Sequence, residues 1–263
     1  MLVPFATCSA AECGQAVRTL RLPHLQRLLA RLAPESTDPG NAQSLSAPHE
    51  RALARAWQLA PTDGLIPFAA LEVRRSGEPE SQAAVAGDAN AAWAWISPSH
   101  WRVGRDRIAM AHPQELQLDA DDARTLLEAM QPYFAEDGIT LAYHAPLRWL
   151  ARGEVFRHLP TASLDRVVGR TLDNWMPAGE AGRTLRRLQQ EMQMLLYTLD
   201  LNDARQRGGL LPVNSFWASG TGALPAGYEP PVSNGLQVSP YLRDAALQGD
   251  WRAWAAAWQQ LDA

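Results

Sequence analysis

Lysine is absent from this sequence: all 24 of its basic residues are arginine. This absence excludes a Walker A loop, which requires a Gly-Lys pair, and any enzyme that forms a Schiff base through its own lysine. Cysteine is scarce as well, since the chain has only Cys8 and Cys13, close together and without a second pair. A four-cysteine zinc site is therefore excluded, and we interpret both residues as reduced thiols.

Long apolar runs and an excess of positive charge are also missing. No apolar run approaches the roughly 20 residues that a membrane-spanning helix needs, and the N-terminus has no basic segment followed by a long apolar one. The formal net charge of −4 at pH 7 provides no basic face for phosphate backbones or anionic lipids. We therefore expect a cytoplasmic protein that binds neither nucleic acid nor membranes.

The residues that are present predict a folded α/β protein. Hydrophobic residues make up 46% of the 263-residue chain, which is long enough to bury a full core. Because strand-like runs alternate with helical patterns, we expect a mixed sheet with flanking helices. The predicted strands lie at 2–7, 65–73, 92–96, 101–109, 139–143 and 148–151.

Helices are predicted where apolar residues recur at spacings of three and four behind a capping residue or a proline. One stripe of this kind is expected to face the core in each helix. The helices begin near Pro23, Ser46, Asp119 and Glu180, and the stripe of the first consists of Leu25, Leu28, Leu29 and Leu32.

A last helix places Trp251, Trp254 and Trp258 on one face, because spacings of three and four align on a helix. Such an aromatic stripe either fills a core or binds a protein partner, and the sequence is compatible with both roles for these three residues. The segment 76–90, dense in Gly, Ser, Glu and Ala, predicts an internal boundary or a mobile connection.

Two groups of titratable residues have structural explanations in the sequence. His49 lies at the start of a helix, and we interpret it as a capping-region residue. Asp119, Asp121 and Asp122 also begin a helix, where carboxylates complement the helix dipole without binding a metal.

From about residue 92 onward, four segments follow one another in a recognisable order: LDADDARTLLEAM, LRWL, PTASLDRVVGR and LNDARQRGGLLPVNSFWASGTG. This order resembles the domain that is inserted into the catalytic core of archaeal-type cofactor-independent phosphoglycerate mutases. The last segment is the most specific match, because it is similar to that family's Asn…Arg…Gly…Pro-Ala-Asn-Ser-x-Trp signature.

The resemblance implies a set of ligand-binding residues. Arg148 and Arg205 would supply charge-assisted hydrogen bonds to a phosphate or carboxylate. Trp149 and Leu164 stand where the family has histidines, which weakens any implied proton transfer there. The implied ligand-binding residues are Arg148, Asp165, Asn202, Arg205, Asn214, Ser215 and Trp217, and the matched positions also include Pro212 and Gly220. An alternative interpretation is that Asn214 and Ser215 bond the loop backbone while Trp217 fills the core.

The N-terminal third resembles a degenerate form of the same family's catalytic core. LRLPHLQRLLARL is similar to the helix that follows the first strand in the alkaline-phosphatase superfamily, and SLSAPHERALARA takes the place of the nucleophile helix. The first predicted strand, however, ends in Phe5-Ala6-Thr7 rather than Asp-Gly, and no Asp-x-His-x-His sequence occurs. Because two divalent ions are needed for that family's phosphoryl transfer, we predict no catalytic residue, no metal and no cofactor.

The same features also resemble the bacterial RpfE-type regulatory proteins. The implied organisation is a degenerate mutase core in 1–90, an insert-like domain in 91–225, and a C-terminal loop with a Trp-rich helix in 226–263. We therefore expect a non-catalytic or regulatory protein with a small phosphorylated or carboxylated metabolite as its ligand. The alternatives are an active mutase-like phosphoryl transferase and a protein-interaction module.

Overall fold

A four-stranded antiparallel sheet lies at the centre of the described structure, a computed structural model that covers residues 1–38, 40–76, 90–231 and 236–263. Strands β4, β5, β1 and β6 lie side by side in that order, and β2 pairs with β3 in a separate hairpin. The strands are β1 (Ala92–Ser99), β2 (Trp101–Val103), β3 (Ile108–Met110), β4 (Thr140–Ala145), β5 (Arg148–Arg152) and β6 (Ser215–Ala223). The α/β class with flanking helices is confirmed, whereas the sheet is antiparallel and not mixed.

Helices flank both faces of this sheet. They are α1 (Ala11–Thr19), α2 (Pro23–Leu29), α3 (Pro48–Ala56), α4 (Phe68–Ser76), α5 (Ala120–Glu136), α6 (Leu164–Val167), α7 (Arg183–Tyr197), α8 (Asp200–Arg207), α9 (Arg243–Gln248) and α10 (Trp251–Asp262). Three short 3₁₀ segments, Pro113–Leu116, Glu154–Phe156 and Asp173–Trp175, join some of them. Among the helices of the described ranges, none is long and apolar enough to cross a membrane.

Strand β1 is buried on both faces, which explains its nearly continuous apolar sequence. Side chains alternate along a strand, so Ala94 and Ile96 join the core under α5 and α7, whereas Trp93 joins the core under α3 and α4. A hydrophobic core therefore lies on each face of the sheet, and helices cover both cores. Because α4 contacts both β1 and β6, residues of the predicted first segment pack directly on the predicted insert-like domain. The division into segments stays a prediction.

Helix α5 begins as the sequence predicts. The Asp119 carboxylate accepts a hydrogen bond from the backbone N–H of Asp122 at 2.8 Å, and Leu126 and Met130 are buried in the core. Ser46, in contrast, does not cap α3, because Ala47 holds the N-cap position. The Ser46 hydroxyl instead accepts a hydrogen bond from the N–H of Gly64 at 2.8 Å and fixes the loop before α4.

Three predicted strands are wrong or incomplete. Segment 65–73 is largely helical, because α4 begins at Phe68. A short apolar run is compatible with either a buried strand or a buried helix, and its Ala-Ala-Leu-Glu sequence favours a helix. Segment 2–7 contributes a single bridge, between Leu2 and Val238. Segment 101–109 forms the hairpin of β2 and β3, not one strand.

The terminal segments pack against each other. The indole N–H of Trp254 donates to the carbonyl of Phe5 at 2.9 Å, and that of Trp258 donates to the carbonyl of Ala6 at 3.2 Å. The predicted helical Trp face is confirmed, and two of its three indoles are buried inside this chain. The partner protein stays a prediction, and contact with these two rings would require the N-terminal segment to move away.

The predicted core-facing stripe of α2 is wrong in three of its four positions. Leu25 packs against the terminal helices. The other three leucines, Leu28, Leu29 and Leu32, are 55%, 58% and 59% exposed. The predicted boundary at 76–90 lies almost wholly outside the described residues.

Gly220 provides a test of this packing. Its φ is +62°, and a Cβ atom there would lie 2.8 Å from the indole of Trp95, so Gly220→Ala adds overpacking to backbone strain. We expect a loss of roughly 2–4 kcal/mol in the free energy of unfolding, measured by urea denaturation. Gly209→Ala is the matched control, because Gly209 has φ +76° but open space around its Cβ position. Equal losses in both variants would contradict the packing argument.

Candidate functional site

A cavity of about 590 Å³ opens between helices α3 and α4 and the face of the sheet that carries Trp93 and Trp95. Its wall is apolar where Trp57, Phe68 and Leu71 line it, and titratable side chains line the rest. The titratable lining residues come from distant parts of the sequence: His49, Glu50, Glu72, Arg75, His112, Arg148, Asp165, Arg243 and Asp244.

Asp165, one of the predicted site residues, stands between two basic groups. The Nε2 atom of His49 lies 2.9 Å from Asp165 Oδ2, and the Nε of Arg243 donates to Asp165 Oδ1 at 2.7 Å. Burial alone would raise the pKa of this carboxyl. The hydrogen bond with His49 and the charge of Arg243 outweigh burial and hold the pKa of Asp165 below its ordinary value. The carboxylate is therefore ionised at neutral pH.

Glu50 brings a second carboxylate to the same place. Its Oε2 accepts a hydrogen bond from the backbone N–H of Ala47 at 2.5 Å, which closes the first turn of α3. Burial, and secondly the nearby charge of Asp165, raise the pKa of Glu50. Three atoms of the kind that bind metals, one each from His49, Glu50 and Asp165, lie within 4.8 Å of one another. Atoms this close could bind one metal ion together.

Arg148, a second predicted site residue, lies in the same cavity. Its guanidinium carbon is 4.1 Å from the centroid of the Trp95 ring. Desolvation by the surrounding protein lowers the pKa of the Arg148 guanidinium. The residue is nevertheless exposed to solvent, as expected for a side chain on the wall of an open cavity. Among the residues that the structure describes, none places a carboxylate within ion-pair distance of Arg148. Arg75 has a similar position, 4.2 Å from the ring of Trp57.

The predicted site residue Arg205 is not in this cavity. Its side chain is 3% exposed and ion-paired with Asp122 at 2.7 Å. The guanidinium also donates to the backbone carbonyls of Leu116 and Leu211. It therefore ties α8 to the start of α5 and does not face the cavity that holds Arg148.

Asn202 is similarly occupied by backbone groups. Its amide nitrogen donates to the carbonyls of Leu196 at 2.8 Å and Val213 at 2.7 Å. Its amide oxygen accepts from the N–H of Val213 at 2.9 Å. Asn202 thereby fixes the loop between α8 and β6.

The Asn-Ser-x-Trp segment makes structural contacts of the same kind. Asn214 accepts from the backbone N–H of Trp101 at 2.7 Å and donates to its carbonyl at 2.9 Å. Ser215 is fully buried, and the indole N–H of Trp217 donates to the carbonyl of Ala162 at 2.8 Å. The structure does not bring the seven predicted residues to one cavity: Arg148 and Asp165 share one, and the other five do not line it. Ligand binding by these residues stays a prediction. Asn202 and Asn214 border a separate cavity of about 610 Å³.

Sequence reasoning missed His49, Glu50, Arg75 and Arg243 as site residues. His49 and Asp165 are 116 positions apart in the chain, so their spacing carried no signal. A histidine and a glutamate in the first turn of a helix are typical of helix capping, and Glu50 does cap α3 through the backbone N–H of Ala47. The signals in the sequence were the resemblance at Asp165 and that of SLSAPHERALARA, which contains His49 and Glu50. Arg75 and Arg243 lie in none of the segments that carry the resemblance.

Comparison with known proteins gives a distant structural likeness. No protein-family model matches the chain, and no curated protein matches it significantly. Among solved structures, the chain is similar to the cofactor-independent phosphoglycerate mutase from Thermoplasma acidophilum DSM 1728, with a TM-score of 0.41 and 13% identity. The match covers 61% of this chain and 48% of that one, so the chain matches about half of the mutase's length. The RpfE-type relationship and the alkaline-phosphatase-like remnant stay predictions.

Arg205→Ala tests the structural role of the family signature. The change leaves Asp122 and two buried carbonyls without their donor, so we expect the free energy of unfolding to fall by roughly 2–4 kcal/mol. Urea denaturation measures the loss. Arg207→Ala on the same helix is the control, since Arg207 is exposed and donates to the carbonyl of Asp203 on its own helix. A loss no larger than the control's would show that the buried network does not stabilise this region.

Proposed function

We propose that this protein binds a small metabolite with a carboxylate or phosphate group and an apolar part, in the cavity beside α3 and α4. The carrying observation is Arg148, which lines the cavity over the Trp95 ring and, among the described residues, has no carboxylate within ion-pair distance. Desolvation by the cavity wall disfavours the charge of Arg148, so a ligand anion that pairs with it would complete the site.

The shape and lining of the cavity support a small molecule. Its volume of about 590 Å³ lies within the usual range for small-molecule sites. Trp57, Phe68 and Trp95 provide an apolar wall, with Phe68 and Trp95 nearly parallel at 9° and their centroids 6.2 Å apart. Apolar walls with a few charged groups favour a ligand that is only partly polar.

Stacking on an indole orients the guanidinium of Arg148. A planar guanidinium over an aromatic ring keeps its edge N–H donors free, and these match the two oxygens of a carboxylate or phosphate. Arg75 on the ring of Trp57 repeats this arrangement in the same cavity. The pair favours a ligand with one strongly anionic group or two weaker ones.

A second candidate is catalysis in the same cavity. The observation that favours it is the hydrogen-bonded pair of His49 and Asp165, since a carboxylate that orients an imidazole is a frequent arrangement in acid–base catalysis. We do not propose the two-metal mutase mechanism, because the Asp-x-His-x-His sequence that it requires is absent. A regulatory or binding role needs only the ligand site.

The test is binding of a panel of phosphates and carboxylates: inorganic phosphate, phenyl phosphate, benzoate and small phosphorylated acids. We expect at least one to raise the Tm of the wild-type protein and to give a measurable Kd by calorimetry. Arg148→Ala should weaken that binding by about 10- to 100-fold, since a charged hydrogen bond contributes roughly 1.5–3 kcal/mol.

Arg183→Ala is the matched control, because Arg183 is exposed, pairs with Glu180 at 2.6 Å and lies outside the cavity lining. Circular dichroism of each variant without ligand checks its fold. The proposal fails if no compound stabilises the wild-type protein, or if Arg148→Ala binds as tightly as the control.

A further inference from the structure

We propose that His49, Glu50 and Asp165 form a binding site for one divalent transition-metal ion, such as Mn²⁺ or Zn²⁺. The inference goes beyond the anion site and rests on different residues, so either can hold without the other. Its basis is geometric: one imidazole nitrogen and two carboxylate oxygens, from α3 and α6, meet within 4.8 Å on the wall of one cavity.

The distances suit a shared ion. Ligand atoms about 2.1 Å from a metal lie about 3 Å apart when adjacent and about 4.2 Å apart when opposite. His49 Nε2 and Asp165 Oδ2 are 2.9 Å apart, the adjacent spacing. The Glu50 ligand atom lies within 4.8 Å of both, a limit slightly above the opposite spacing, so the proposal has it move closer when the ion binds.

The surrounding contacts leave suitable lone pairs available. Arg243 donates to Oδ1 of Asp165, which orients the carboxylate and leaves Oδ2 for the ion, as a neighbour of a metal ligand commonly does. The ion would take the Nε2 lone pair of His49 in place of the hydrogen bond with Asp165, so the neutral imidazole would carry its one ring proton on Nδ1.

The kind of ion follows from the ligands. One imidazole and two carboxylates suit Zn²⁺ and Mn²⁺ better than Mg²⁺ or Ca²⁺, which prefer oxygen alone. The protein would supply three metal ligands. Because all three line the cavity, water or the anionic group of a bound metabolite could complete the coordination of the ion. A metal beside Arg148 would give an anionic ligand two points of attachment, as in many sites for phosphates and carboxylates.

Mn²⁺ is the probe of choice, because the thiols of Cys8 and Cys13 compete for Zn²⁺ but bind Mn²⁺ weakly. The full chain is freed of metal with a chelator and titrated with MnCl₂, and the loss of the free Mn²⁺ electron paramagnetic resonance signal is followed. We expect one ion per chain. His49→Gln and Glu50→Gln, which keep hydrogen-bonding groups of similar size, should each raise the Kd at least about tenfold.

Two matched controls separate this site from adventitious binding. His158→Gln and Glu128→Gln remove an exposed imidazole and an exposed carboxylate elsewhere, and both should bind Mn²⁺ as the wild-type protein does. Arg148→Ala should retain Mn²⁺ binding, so failure of the metal site and failure of the anion site give different results.

The proposal is overturned if the wild-type protein binds no Mn²⁺ at millimolar concentration, or if both ligand variants bind it unchanged. Should His49→Gln not fold by circular dichroism, crystals of the wild-type protein soaked in MnCl₂ decide the question. An anomalous peak in contact with His49, Glu50 and Asp165 supports the site, and its absence there contradicts it.

Discussion

The close approach of Trp95 to Gly220 fixes the geometry on which the cavity depends. A side chain at position 220 would occupy the space of the indole ring, so only glycine lets β1 and β6 pair there with Trp95 turned toward α4. The ring stacks beside Phe68 of α4 and carries the guanidinium of Arg148 from β5. The glycine at this one position of β6 thereby sets where Phe68 of α4 and Arg148 of β5 meet the Trp95 ring.

Polar residues in the family-like segment show why sequence resemblance alone does not identify a binding site. Asn214 is bonded to both backbone groups of Trp101, and Asn202 to those of Val213. A buried loop must satisfy its N–H and C=O groups, and an amide side chain supplies a donor and an acceptor for that purpose. The same side chain would bind a ligand carboxylate equally well. The choice between the two roles depends on what lies opposite, which the chain order does not reveal.

Local patterns predicted those elements whose periodicity and caps agree. Helix α5, with its Asp119 cap, and helix α10, with its Trp face, were predicted for this reason, as were β4 and β5. Helix α4 was mistaken for a strand, because the predicted segment 65–73 is apolar except at Pro67 and Glu72 and therefore shows no polar face. The candidate site was predicted only at Arg148 and Asp165. Its other members come from α3, α4 and α9, and tertiary packing alone brings them together.

The lack of lysine has a physical consequence inside the cavity. Desolvation lowers the pKa of Arg148, but a guanidinium starts so far above neutrality that it stays protonated. A lysine in the same surroundings could lose its charge, since buried ammonium groups shift their pKa by several units. The guanidinium carbon of Arg148 also lies 4.1 Å from the centroid of the Trp95 ring. A planar guanidinium over a ring can keep its edge N–H donors free, which an ammonium group cannot do. Arg75, Arg148 and Arg243 therefore keep permanent positive charges beside the four carboxylates that also line the cavity. Arg148, which has no ion-paired carboxylate among the described residues, is the charge that favours an anion as ligand.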